Sequence, residues 1–148
     1  MYLKEIDYSL RNETLIHKLT IIWQKSVEAT HLFLSPQDIK DILPQVIIGL
    51  KHIPILLVSF TDDDEPIGFA GIADDKLEML FLSPDYFQQG IGYKMISTAI
   101  RDYQIKYVDV NEQNPKALKF YLRQDFTIFK RSPVDSDNRP FPILHLKK

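Results

Sequence analysis

The chain's 148 residues are 45% hydrophobic and 26% charged, ordinary values for a globular domain, so disordered and fibrous classes are excluded. Eighteen Lys and Arg against twenty Asp and Glu leave a formal net charge of -2 without a basic block, so neither nucleic acid nor an anionic membrane is expected as a partner. Cysteine is absent and the four histidines stand far apart at 17, 31, 52 and 145, which argues against disulfides and a structural metal.

A chain of this length fits a single domain, residues 1–148, that buries roughly two thirds of the surface its unfolded form exposes. The opening Met1-Tyr-Leu-Lys-Glu-Ile-Asp-Tyr is too polar for a signal peptide. The longest apolar run, residues 53–60, is too short to span a bilayer, so a cytoplasmic location is expected.

Tyr2, Ile6 and Tyr8, with charges between them, predict a first strand. Asn12 then caps a helix carrying Leu15, Ile16, Leu19, Ile22, Trp23 and Val27 at helical spacing and ending near Thr30. Ser35-Pro36 opens a second helical stretch with Ile39, Ile42, Leu43, Val46, Ile47 and Leu50 on one face. Pro44 lies inside it and predicts a break into two short helices.

Residues 53–61, 66–73 and 77–82 are β-rich and separated by the acidic turns at residues 62–65 and 74–75, which predicts three successive antiparallel strands stopped by Pro84. Ile91, Met95, Ile96, Ala99, Ile100 and Tyr103 form a helical stripe, and a strand at residues 106–110 completes a βαβ unit. Asn114-Pro115 starts a further helix with Ala117, Leu118, Tyr121 and Leu122 inward, and residues 126–132 and 141–146 supply two last strands.

Three helices begin at side-chain caps, Asn12, Ser35 and Asn114, but the helix at Ile91 is entered through Gln88-Gln89-Gly90-Ile91-Gly92 with no cap beside it. Its free N–H groups and positive end suit a pyrophosphate, the two glycines clearing its approach; a plain tight turn explains the glycines equally well. A dinucleotide fingerprint needs a small residue where Met95 stands, and a P-loop needs Gly-Lys-Ser/Thr, so neither fits. The preceding strand is also antiparallel to its sequence neighbour, unlike the strand that leads into either nucleotide motif.

Leu80-Phe-Leu-Ser-Pro84, the loop to Gly92, and Asn114-x-x-Ala117-x-x-Phe120-Tyr121 followed by Phe126 resemble, in that order, the GNAT superfamily of acyl-CoA-dependent N-acetyltransferases. The likeness extends over nearly the whole chain to a bacterial subgroup, at Ser26-Val-x-Ala-Thr-His-x-Phe-Leu34, Val110-Asn-Glu-Gln-Asn114, Arg131-Ser-x-Val-Asp135 and Pro140-Phe-Pro142. Two positions depart from the pattern: Phe87 replaces the usual Arg or Gln, and Asp125 replaces the usual Gly before Phe126. A backbone cradle survives the first, and Asp tolerates the left-handed turn implied by the second.

The resemblance implies a mixed α/β GNAT fold: a mostly antiparallel sheet of about seven strands with one splayed parallel pair, flanked by about four helices. It implies acetyl transfer from acetyl-CoA to a primary amine of a small molecule or protein by direct attack, without a metal. Leu80, Phe81 and Leu82 would hold pantetheine through backbone groups, with Gln88, Gln89, Gly90, Ile91, Gly92 and Tyr93 on the pyrophosphate. Tyr121 would protonate the departing thiolate, its structural alternative being a core aromatic. For the base, Glu78 is a candidate because it lies two residues before Leu80 and so shares its face. His31, in the helix-to-helix connection, is the other candidate and also a substrate-binding one.

Asn114 is a cap and also a candidate for bonding a cofactor amide. Lys94, Lys116, Lys119 and Arg123 are either phosphate contacts or solvated charges. A non-catalytic acyl-CoA sensor of the same fold is the alternative function. Monomer and homodimer both remain open, since the C-terminal hairpin has an edge strand to pair.

Overall fold

The computed structural model describes residues 1–148. Its elements run β1 (Tyr2–Glu5), α1 (Glu13–Thr30), α2 (Pro36–His52), β2 (Ile55–Phe60), β3 (Pro66–Ala73), β4 (Lys76–Leu82), α3 (Ile91–Tyr103), β5 (Tyr107–Asn111), α4 (Pro115–Leu122), β6 (Thr127–Ser132) and β7 (Ile143–Lys147). The first strand is shorter than expected, with Tyr8 in a 3-10 turn. No helix is long and apolar enough to cross a membrane.

The strands form one sheet in the order β1-β2-β3-β4-β5-β7-β6, antiparallel except for β4 beside β5. That parallel pair joins only Lys76 to Tyr107 and Leu77 to Val108 before the strands part, so the expected seven-stranded mixed sheet with a splayed pair is present. On one face α3 and α4 bury Ile91, Met95, Ile96, Ala99 and Tyr121 against Leu57, Ala70, Leu77, Val108, Val110, Leu144 and Leu146. On the other, α1 and α2 bury Leu19, Trp23, Val27, Ile39, Val46 and Leu50 against Leu56, Val58 and Phe69. The second core takes nothing from β5, β6 or β7, which leaves that half of the face without a helical cover.

The caps act as the sequence predicts. Asn12 accepts from the Leu15 amide, Asn114 accepts from the Ala117 amide, and Ser35 with Asp38 forms a reciprocal capping box. Two readings change. Helix α2 runs unbroken through Pro44, because Pro44 and Lys40, whose carbonyl loses its partner, both sit on the exposed face where water can bond it. Meanwhile Ile39, Val46 and Leu50 hold both halves of the helix to the core. In α4, Leu122 is 44% exposed and Phe120 packs on the core in its place.

Asp125 takes the left-handed conformation at φ 68, as its position after α4 demands, and Phe126 behind it is 1% exposed. Pro44→Ala returns an N–H to α2 without touching the core. It should raise stability by about 1–3 kcal/mol, read as a higher urea midpoint with unchanged slope.

Candidate functional site

The site begins where β4 and β5 separate. Strand β4 carries a bulge: Gly71 pairs with Met79 and Ile72 with Leu77, so Glu78 is the extra residue. The Ser83 amide bonds the Ile67 carbonyl, and counting back by twos puts the N–H and C=O groups of Phe81 and Met79 on the β3 side as well. The groups of Leu80 and Leu82 therefore point the other way, into the opening towards β5. Of the three residues expected to offer backbone groups, Leu80 and Leu82 do so, and those of Phe81 are consumed within the sheet.

From the end of β4 the chain passes a 3-10 turn at Pro84–Tyr86 and reaches α3 through Gln88, at φ 60, and Gly90, at φ 79. None of the backbone N–H groups of Gln88, Gln89, Gly90, Ile91, Gly92 and Tyr93 has an acceptor in the chain; the first helical bond is Lys94 N–H to the Gly90 carbonyl. Two left-handed residues among these amides, Gln88 and Gly90, curl them into a concavity of the kind that suits an anion, at the positive end of α3. The two glycines differ in purpose. A Cβ at Gly90 would meet nothing within 4 Å, so glycine is needed there for its positive φ. A Cβ at Gly92 would lie 3.9 Å from the Phe120 ring, an ordinary contact, so this glycine borders α4.

Tyr121 is 7% exposed, with its ring edge-on to Phe120 and Phe126 at 5.1 and 5.9 Å. Its hydroxyl makes no hydrogen bond within the chain, and burial raises its pKa further above the phenol value of 10.0, so it stays protonated at neutral pH. Asn114, 8% exposed, uses its side-chain oxygen on the Ala117 amide at 3.3 Å and leaves its NH2 free. Lys94, Lys116, Lys119 and Arg123 are exposed, and none of them is in an ion pair.

On the α1/α2 face the bulge corrects one expectation. Leu77 and Leu80, three residues apart, both pack towards α3, so Glu78 does not share Leu80's face. It lies instead on the side occupied by Lys76, 3.8 Å from its ammonium group. Lys76 in turn meets the Asp109 carboxylate at 2.7 Å. Partial burial opposes the charge of Lys76, but Asp109 and Glu78 together outweigh that and raise its pKa.

Asp109 also meets His145 Nδ1 at 2.7 Å, and His145 Nε2 meets Ser132 Oγ at 2.7 Å. The sequence reading missed this chain of groups. Asp109 and His145 do interrupt apolar alternation in β5 and β7, a visible signal of polar residues on one sheet face, but only the register puts them together.

His31 follows the last residue of α1. The Thr30 hydroxyl donates to the Ser26 carbonyl, so it accepts from His31 Nδ1–H at 2.8 Å, which leaves Nε2 with a free lone pair. The ring lies 5.4 Å from Phe33, and Phe33 lies 5.5 Å from Phe141 in the connection between β6 and β7. These aromatics join the α1–α2 connection to the β6–β7 connection and wall the uncovered half of the face. Desolvation pushes the His31 pKa down to about 4, so the imidazole is neutral at physiological pH.

A family model described as an acetyltransferase (GNAT) domain matches residues 55–128. Peptidyl-lysine N-acetyltransferase YjaB of Salmonella typhimurium is 39% identical over 129 residues, which are 87% of this chain and 88% of that protein. The protein of the same name from Escherichia coli is 34% identical over 129 residues, 87% of each chain. The solution structure of apo-form YjaB from Escherichia coli superposes with a TM-score of 0.84 at 30% identity, covering 99% of this chain and 97% of that one. PaiA N-acetyltransferase from Thermoplasma acidophilum, solved in complex with coenzyme A, shares the fold with a TM-score of 0.70 at 19% identity over the whole of both chains.

The burial of His31 has a consequence for stability. Its folded pKa, about 4, lies below the ordinary histidine value of 6.5, so the unfolded chain binds the extra proton and stability falls as pH drops from about 6.5 towards 4. In His31→Gln that part of the decline should disappear, measured by urea unfolding at several pH values across this window.

Proposed function

The chain belongs to the GNAT family of acetyltransferases and is an N-acetyltransferase, and from that premise we propose that it moves the acetyl group of acetyl-CoA onto a lysine side-chain amine of a protein or peptide. The observation that carries the donor is the unbroken run of unpaired amides from Gln88 to Tyr93, continued by the backbone groups of Leu80 and Leu82 in the β4–β5 opening. No buried side-chain polar atom of the fold lacks a partner, whereas here backbone donors and acceptors are left for a long ligand with an anionic end. Half-buried Phe87 adds no charge at the loop, so binding rests on the backbone.

When bound, acetyl-CoA supplies a thioester whose carbonyl carbon is open to attack by an amine. The Leu80 N–H, facing the opening, is placed to stabilise developing charge on the carbonyl oxygen. Tyr121, protonated and with an unengaged hydroxyl, gives its proton to the departing sulfur. Asn114 offers its free NH2 to an amide of the pantetheine arm. On the opposite face Glu78 and Asp109 attract a cationic acceptor, while His31, Phe33 and Phe141 flank its aliphatic part. Support for lysine comes from the relatives' stated acceptor and from this pairing of carboxylates with aromatic walls.

Tyr121→Phe should leave acetyl-CoA affinity unchanged by calorimetry and lower turnover roughly a hundredfold, the scale of a lost acid catalyst. Unchanged turnover would remove Tyr121 from the mechanism. Gly90→Ala forces a non-glycine residue to a left-handed angle and should weaken acetyl-CoA binding about tenfold, for roughly 1–2 kcal/mol of strain. Mass spectrometry of a lysine peptide, a peptide with only its α-amine free and small polyamines tests the acceptor. Binding of acetyl-CoA without transfer to any of them would favour the sensor reading.

A further inference from the structure

We propose that Ser132 and His145 form the proton-accepting pair of the acceptor site, with Asp109 holding the imidazole in place; this rests on the acetyl-transfer reading above. A lysine amine arrives as an ammonium and must lose one proton before it can attack. The second proton, released as the N–C bond forms, balances the one that Tyr121 gives to sulfur. Some group on the acceptor face must take the first.

The hydrogen bonds of the Ser132–His145–Asp109 chain have a direction. Asp109 is a carboxylate paired with Lys76, so it accepts at Oδ1, and His145 must donate from Nδ1. Nε2 then carries the lone pair and accepts from the Ser132 hydroxyl at 2.7 Å. A hydroxyl, an imidazole nitrogen and a carboxylate in that order are the arrangement that draws a proton through the hydroxyl onto the ring and stabilises the resulting imidazolium. The ammonium proton passes to Ser132 Oγ as the Ser132 proton passes to His145 Nε2. The imidazolium next to Asp109 then releases it to solvent.

Position supports the same role. Asp109 and His145 alternate with Val108, Val110, Leu144 and Leu146, all buried towards α3 and α4, so the chain of groups lies on the face left open by α1 and α2. It starts at Asp109, the first β5 residue beyond the last β4–β5 pair, and ends at Ser132, where β6 gives way to the connection carrying Phe141. Side-chain exposures of 33% for Asp109 and 21% for His145 leave the groups reachable yet sheltered. The other charged or titratable groups around the ring are Lys76 and Glu78 on β4, Tyr107 on β5, Lys130 on β6 and Lys147 on β7. Glu112 and Arg131 are tied to each other at 2.8 Å.

The test is steady-state transfer from acetyl-CoA to a lysine peptide between pH 6 and 9, with Ser132→Ala, Ser132→Thr and His145→Gln compared with the parent. Ser132→Ala and His145→Gln should lower kcat by about a hundredfold while the KM for acetyl-CoA stays within about twofold, and Ser132→Thr should restore most of the rate. His145→Gln should also abolish the acid limb of the kcat/KM profile for the peptide. A kcat within about twofold of the parent with the acid limb intact overturns the proposal, as does a loss that Ser132→Thr fails to rescue. So does a fall in kcat that only follows a lower melting temperature and weaker acetyl-CoA binding. A parent chain that transfers to no amine overturns the acetyl-transfer reading together with this one.

Discussion

The rest of the structure turns on an unfinished hydrogen-bond ladder. Strands β4 and β5 pair at two positions and then part, which leaves the backbone groups of Leu80 and Leu82 without a strand partner. Leaving such groups unmade inside a fold is costly, and the chain tolerates it only where a ligand or water can take them up. The loop that follows continues the pattern, with no acceptor for any amide from Gln88 to Tyr93. The opening and the amide cradle form one continuous surface for hydrogen bonding. Its length and its positive end suit a long ligand with an anionic terminus.

Around this gap the two faces of the sheet divide the chemistry. The face covered by α3 and α4 is a closed apolar core whose one polar tip of consequence is the Tyr121 hydroxyl, kept protonated by burial. The other face is covered by helices only over β2 to β4, and its bare half carries the carboxylates, imidazoles and aromatic walls. A protonated phenol on one side and imidazole and carboxylate groups on the other suit the proposed reaction, in which one reactant gains a proton and the other loses one. The β4 bulge links the two sides. By adding Glu78 it keeps Leu77 and Leu80 in the same core and turns the carboxylate outward to join Lys76 and Asp109.

Much of this was legible in the sequence because the signals involved are local. A cap residue with its Pro or acidic partner marks a helix start whatever surrounds it, so Asn12, Ser35 and Asn114 were found where they act. The uncapped start at Gly90 was equally plain, since the absence of a Ser, Thr, Asp or Asn beside a glycine is itself a local fact. Strand count and the antiparallel run from β2 to β4 followed from alternation and acidic turns.

What the sequence by itself determined, then, was the order of elements, the open helix end and the family resemblance, all properties of short segments. Tertiary structure decided which side chains meet. A bulge of one residue reverses the face of everything beyond it, so Glu78 could not be placed from its distance to Leu80. Pro44 is tolerated because the carbonyl it orphans faces water, a matter of helix orientation in the fold. Ser132, His145 and Asp109 converge through the register of three strands up to 36 residues apart in the chain, a long-range relation that no local pattern encodes.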